Sequence, residues 1–535
     1  MTPSPVASLA RRVLGGLLRV AVYATSAVAL TWPLVRDPFA TVVGGERTDA
    51  YNSLWTYWFV ASGVRDGVFP IHTTLLDFPD GGRLLAADPL NALLASPLTL
   101  AWGAPFAYAT LLLLHLTFAG LFADMLGRRM GGRGWIAGIA YPWSAVVLAH
   151  LQNGSSEAAG VAWLPLSALA CHVVVSRPGF APAATLGAAA ALAATALGGG
   201  WYAGLDAFLL AVCVAVFAPG GRRLWPALAL GVLLVAPAAY AFRAVSTASD
   251  GLIDIKGLDD LARIRRTIGA LDVRVPWVPG NFRAPNFARL AQNASDLVHT
   301  AYIGYGLLAL ALWKGRNRAL WIATICALVL AHGPSIVLDG RPLAIAGRAL
   351  PLPYAIVEQV PGFGSLSLLF RLATLVPLGL GLLADRAHPM FALVIVLETR
   401  LFGPAATLPQ VSPAKIAAPY AALALAEPGA VITLPAGYTR TRLFEQAQHG
   451  KPLVGSINSG VNATGLAVLA DLRACERENL PFGDAVARAK ERGVRYVIVH
   501  PKEALETTFS PAVRILRTHA TVLADDGAVR VYRLY

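Results

Sequence analysis

The sequence predicts a polytopic α-helical membrane protein with a soluble α/β domain at its C-terminal end. Three observations predict it. Of 535 residues, 56% are hydrophobic and only 14% are charged, too few charges to cover a water-soluble protein of that size. Apolar runs of the length that crosses a bilayer as a helix recur between residues 13 and 402. From about residue 405 the composition changes, and β-branched strands alternate with helical stretches.

The apolar runs predict about eleven membrane helices, at 13–34, 104–127, 134–149, 158–175, 181–197, 201–218, 224–243, 298–313, 319–334, 366–384 and 388–402. The stretch 89–102 is apolar but short, and Pro89 and Pro97 break it, so it reads as a re-entrant or surface helix. Arg11, Arg12 and Arg19 lie in or before the first run. No small-residue cleavage signal closes that run, which predicts a retained helix.

The net charge of +13 reflects topology rather than nucleic-acid binding, because the basic residues sit in short connections between apolar runs. With the N-terminus cytoplasmic, the inner connections are 128–133, 176–178, 220–223, 314–318 and 385–386. Four are basic, and the fifth sets Arg386 against Asp385. All the long connections then fall outside, including loop 35–103, loop 244–297 and the tail. The chain divides into a transmembrane part, 1–403, and an extracytoplasmic α/β domain, 404–535. Three of the four cysteines (Cys171, Cys213, Cys326) lie in apolar runs and Cys475 in the tail, a spacing that gives neither a disulfide framework nor a zinc site.

Within the tail, 430–435 reads as a buried strand, 438–449 as a helix, 452–455 as a short strand, and 482–492 as an amphipathic helix feeding a strand at 494–499. The tail lacks a Gly-rich phosphate fingerprint and a nucleophile elbow, so no chemistry is assigned to it.

The candidate chemistry lies in the outer connections. Loop 35–103 opens with Gly44-Gly45-Glu46-Arg47-Thr48-Asp49, directly before an aromatic, amphipathic stretch from Ala50 to Val60. A carboxylate held where membrane meets water can serve as a general base toward a lipid-linked substrate. Asp49 fits a helix N-cap, where backbone N–H groups would orient its carboxylate. Plain capping is the alternative role. Glu46 is the second acid. Asp80 lies in Phe78-Pro79-Asp80-Gly81-Gly82, a turn by composition, and is carried as a substrate contact beside that structural role.

The connection Ala149-His150-Leu151-Gln152-Asn153-Gly154-Ser155-Ser156-Glu157 packs polar groups between two apolar runs. His150, Gln152 and Glu157 are candidates to contact a sugar or a metal, against a solvated loop as the alternative. One His beside one Glu does not define a metal site. Arg371 sits inside the run 366–383. An intramembrane charge is a functional candidate by default, here a bidentate phosphate ligand, although snorkelling to the interface is an equal alternative. Tyr202 and Asp206 stand near another outer helix end, and Tyr202 joins the substrate-binding candidates. Loop 244–297 mixes Arg and Asp over a length that usually carries function or its own structure; lid, acceptor contact and solvated loop all remain open.

This arrangement resembles the GT-C superfamily of membrane glycosyltransferases. The resemblance rests on the first helix, the acid-bearing outer loop with Glu46, Asp49, Trp55 and Trp58, and Phe78-Pro79-Asp80-Gly81. It also rests on the polar turn His150–Gly154, the segment from Pro361-Gly362-Phe363 to Arg371, and the outer α/β tail. The tail is similar to that of a large bacterial group of GT-C-like proteins, in Ile432-Thr433-Leu434-Pro435, Gln446 to His449-Gly450-Lys451-Pro452 and Tyr496-Val497-Ile498-Val499-His500. The resemblance implies a bacterial cytoplasmic membrane and transfer of a sugar from a polyprenyl-phosphate carrier to a glycan, lipid or protein acceptor on the outer face. An acid of the first loop acts as base, a role that falls on Asp49 by position. Glu46 and Asp49 are separated by Arg47 and Thr48 rather than paired, which leaves open both the choice of base and any need for a divalent metal ion. Two other classes stay open: a transporter or flippase of lipid-linked glycans, and a non-catalytic envelope assembly protein on the same scaffold.

Overall fold

A computed structural model describes residues 5–45, 48–69, 71–86, 88–248, 251–252, 258–278, 298, 300–360, 362–401, 409–434, 440–455, 482–502, 516 and 520–534. Most of the sequence's apolar runs form helices. Val13–Thr31, Ala104–Arg129, Gly200–Phe217 and Gly221–Val245 are long and apolar enough to cross a membrane, and Trp163–Ser176, Pro182–Gly198, Tyr305–Lys314, Arg318–Ala331 and Leu369–Ala384 are shorter apolar helices. The run 134–149 departs from expectation as a continuous span. It splits into Trp135–Ala140 and Ala145–Asn153. The break falls at Tyr141-Pro142-Trp143-Ser144: Pro142 has no N–H to donate, and Ser144 restarts the helix as an N-cap, its hydroxyl accepting from the Val147 N–H at 3.3 Å.

The stretch 89–102 is a separate helix, Pro89–Trp102, with Pro97 inside it. It packs against Ala104–Arg129 and against the helix Ala50–Arg65, which is buried round most of its circumference rather than amphipathic as expected. At the far end of Ala104–Arg129, Asp124 is fully buried and accepts from Tyr23 Oη at 3.1 Å and from Arg128 Nε at 2.8 Å, and it also pairs with Arg19. Asp385 accepts from the N–H groups of Gly134, Ile136 and Ala137, at the start of Trp135–Ala140. A carboxylate suits that end of a helix, where unpaired N–H groups point outward.

The tail folds around a four-stranded sheet. Ala430–Leu434 lies parallel to Val494–Val499, which pairs antiparallel with Arg530–Leu534, itself antiparallel to Ala520–Asp525. The alternation of a strand sends its side chains to two faces. Ile432, Leu434, Val497 and Val499 pack with Tyr532 on one face. Val431, Tyr496, Ile498 and Val531 pack on the other with Trp55 and Phe59 of the helix Ala50–Arg65. The expected strand at 452–455 reaches the sheet as a single bridge, Val431 to Leu453. The expected tail helices appear as Arg440–His449 and Phe482–Glu491.

Three further contacts fasten the tail to the first loop. Thr41–Val43 pairs antiparallel with Val411–Pro413, and the Tyr51 hydroxyl donates to the Pro413 carbonyl at 2.6 Å. Trp55 stacks on Phe59 with ring centroids 4.7 Å apart, and its indole N–H donates to Gln446 Oε1 at 2.8 Å. A buried Trp needs such a partner for its N–H.

Candidate functional site

The short helix Ala145–Asn153 ends at Gly154, whose φ of 60° lets the chain turn sharply into Ser156–Ala159. That turn aims Glu157 inward. Its side chain is 2% exposed, and both carboxylate oxygens accept from Arg371 Nη1, at 3.1 and 3.2 Å. Arg371 belongs to a 3₁₀ segment, Leu369–Thr374, immediately before the helix Leu375–Ala384. Arg371 therefore does not snorkel: its side chain is 12% exposed and paired. Burial alone would raise the Glu157 carboxyl, but the Arg371 guanidinium beside it holds it below the ordinary carboxylate range.

His150 is buried beside this pair. Its Nε2 lies 2.9 Å from the Thr374 hydroxyl and its Nδ1 3.3 Å from the Ser155 hydroxyl. Burial pushes the imidazole down to about 4, so it is neutral at pH 7. Tyr202 completes the group. Its ring lies 5.7 Å from the Arg371 guanidinium carbon, and its hydroxyl accepts from the Ser367 and Leu368 N–H groups at 3.1 and 2.8 Å. Asp206, one turn further along, accepts from the Leu375 N–H at 3.0 Å and so holds the end of the arginine-bearing segment.

Glu157, Tyr202 and Arg371 lie in the wall of a cavity of about 620 Å³. Most of the remaining wall is apolar, from Trp55, Phe69, Leu93, Trp201 and Phe242 among others. Asn52 also lines it. Among the described residues, Asn52 Oδ1 and Arg371 Nε are buried atoms with no hydrogen-bond partner. Buried polar atoms are ordinarily paired, so two orphans in the wall of one cavity mark places where a polar ligand group can dock.

Asp49 immediately precedes the helix Ala50–Arg65, as the sequence predicts, but it does not cap that helix with its side chain. Its backbone is already helical (φ −73°, ψ −1°), whereas a capping side chain needs extended geometry to reach back. The carboxylate instead accepts from Arg440 Nε at 2.6 Å, with Asp49 27% and Arg440 30% exposed. Asp49 stands one turn before Asn52, outside the lining of the cavity, and its charge is felt at Arg371. Glu46 lies outside the described residues.

The remaining candidates separate from this group. Gln152 turns the other way: its amide exchanges hydrogen bonds with Gln410, at 2.7 and 3.2 Å, and lines a second cavity of about 870 Å³ with Gly45, Thr48 and Lys415. Asp80 is exposed in its turn, where the Gly81 N–H closes onto the Asp77 carbonyl at 3.0 Å. Among the described residues no cluster of three or more His, Cys, Asp or Glu is placed to hold a metal ion. Sequence reasoning missed Arg440 and the buried set Arg442, Glu445 and His500 beside it. No local motif flags these residues; the signal available was a charged stretch, Arg440-Thr441-Arg442, opening a helix in a domain otherwise read as inert.

No family model matches the chain, and no curated protein matches it. Solved structures do match it in fold. The arabinofuranosyltransferase AftD from Mycobacteria aligns over 96% of this chain at a TM-score of 0.57 and 16% identity. A mutant form of the same enzyme aligns over 96% at 0.51, again at 16% identity. This chain spans only 40% of the AftD chain, and 41% of the mutant's. ArnT from Cupriavidus metallidurans, solved with undecaprenyl phosphate, aligns over 96% of this chain and 97% of its own at 11% identity; its TM-score of 0.41 is too low to carry an argument.

Proposed function

We propose that this protein transfers a sugar from a polyprenyl-phosphate-linked donor to a glycan, lipid or protein acceptor at the outer face of a bacterial cytoplasmic membrane. The observation that carries the reading is the apolar cavity with a buried arginine in its wall, one helical turn from Asp49. An apolar cavity suits an isoprenoid chain, and a guanidinium with an unpaired Nε suits its phosphate. The fold shared with AftD supports the class. The basic short connections support the orientation, with the N-terminus inside and the α/β domain outside.

In this reading Asp49 accepts the proton of an acceptor hydroxyl. The acceptor oxygen bonds to the anomeric carbon, the bond from that carbon to the phosphate oxygen breaks, and polyprenyl phosphate leaves with its charge beside Arg371. Glu157 and Tyr202 hold the guanidinium in place, and neutral His150 fixes the segment through Thr374. Gln152 is an acceptor-side contact in the second cavity, Glu46 a second acid next to the base, and Asp80 keeps its turn.

The test is to compare surface glycans and glycolipids by mass spectrometry in a strain lacking the protein, complemented with wild type or with Asp49→Asn. Wild type restores a glycan one sugar longer and Asp49→Asn, present at normal level, does not. Full restoration by Asp49→Asn would remove Asp49 from the mechanism. An unchanged glycan profile in the deletion strain would remove the transferase reading.

A further inference from the structure

We propose that Arg440, delivered by the C-terminal unit, is a positioning residue for Asp49, so that the reactive carboxylate is set by two parts of the chain far apart in sequence. The inference rests on the assignment of Asp49 as the base.

Among the described residues, little else orients the Asp49 carboxylate. Its backbone N–H is taken by the Asn153 carbonyl at 2.8 Å, and its side chain does not cap its own helix. Among the described residues, Arg440 Nε at 2.6 Å is the carboxylate's hydrogen-bond partner. A guanidinium is a planar fork on a stiff delocalised group, which fixes a carboxylate in angle as well as distance.

Arg440 is itself held. It is the first residue of the helix Arg440–His449, in which Leu443, Phe444, Glu445 and Gln446 are buried. Phe444 stacks on Tyr51 at 5.5 Å, and Gln446 accepts from Trp55. On the opposite side Arg442 donates to Glu445 at 2.9 Å, and Glu445 lies 3.4 Å from His500, just after the strand Val494–Val499. These contacts lock the helix between the sheet and the helix Ala50–Arg65. Docking does not need the Asp49–Arg440 pair, because a partly exposed ion pair adds little beside a buried aromatic stack.

The experiment uses the full-length protein in nanodiscs, as wild type, Arg440→Gln and Arg440→Lys. Two readouts are taken. The first is labelling of Asp49 by a water-soluble carbodiimide, scored by mass spectrometry, which needs no turnover. Labelling rises several-fold in Arg440→Gln and less in Arg440→Lys; equal labelling in all three overturns the proposal. The second is transfer activity. In Arg440→Gln kcat falls on the order of 100-fold, the scale of a misplaced catalytic group, with the donor KM little changed, and Arg440→Lys recovers part of it. Wild-type kcat in Arg440→Gln, or no recovery in Arg440→Lys, also overturns it. Unchanged protease sensitivity of Arg440→Gln shows that the C-terminal unit stays docked. If Arg440→Gln raises labelling but wild type transfers no sugar, Arg440 still holds Asp49 and it is the transferase reading that fails.

Discussion

Replacing Glu157 with Gln isolates the energetics of the buried pair. The change keeps shape and volume but removes the only carboxylate that Arg371 meets among the described residues. Arg371 is 12% exposed and Glu157 2%, so water cannot take over the lost role. An uncompensated buried charge costs about 3–5 kcal/mol. Tyr202 cannot compensate, because its hydroxyl is held by the Ser367 and Leu368 N–H groups. The measurement is reversible unfolding in mixed micelles of rising SDS content, followed by tryptophan fluorescence. Adding Arg371→Met to Glu157→Gln removes the stranded charge, and the double variant should regain more than half of the lost stability. A loss below about 1 kcal/mol for Glu157→Gln would refute the reasoning, since that is the scale of a solvated surface pair. So would a double variant no more stable than the single one.

The same pair sets a pH dependence. Glu157 is depressed in the folded state, so its contribution is fully present above the ordinary carboxylate value of about 4.3 and is lost as pH falls through the folded value. Wild type should therefore lose stability between about pH 5 and 3 more steeply than Glu157→Gln, as read by the same unfolding assay at each pH. Close backbone packing beside the site gives another test. A Cβ at Gly160, in the turn before Trp163–Ser176, would stand 1.8 Å from the Gly198 carbonyl oxygen, a backbone atom that cannot swing aside, so Gly160→Ala should cost at least about 1–3 kcal/mol; a neutral effect in that assay would show this turn and the end of Pro182–Gly198 to be more loosely packed.

Much of the helical architecture was legible because bilayer-length apolar runs are a strong, local signal. The misread run 134–149 shows the limit. Tyr141-Pro142-Trp143-Ser144 is apolar enough to pass as membrane sequence, yet Pro142 and the Ser144 cap break the helix there. Arg371 and Glu157 could each be picked out as charges in apolar surroundings, but their pairing joins residues 214 apart, a separation no periodicity encodes. Asp49 was legible in position and misread in partner. Its helix start follows from local sequence, whereas Arg440 arrives from 391 residues away. Gln152 and His150 look equivalent in sequence; the turn of their helix sends one to the second cavity and the other to Thr374.

The strand pair between Thr41–Val43 and Val411–Pro413 has a consequence for biosynthesis. A chain made from its N-terminus exposes the 41–43 edge long before its partner exists, and Tyr51 waits for a carbonyl 362 residues downstream. Such distant contacts form last, after the helical body has been threaded and packed. The Asp49–Arg440 contact is therefore completed at the end of synthesis, when the helix Arg440–His449 seats on Trp55. A product truncated before residue 409 would lose more than its tail. It would keep its membrane helices, leave an unpaired strand edge at the first loop, and carry an Asp49 carboxylate without its Arg440 partner.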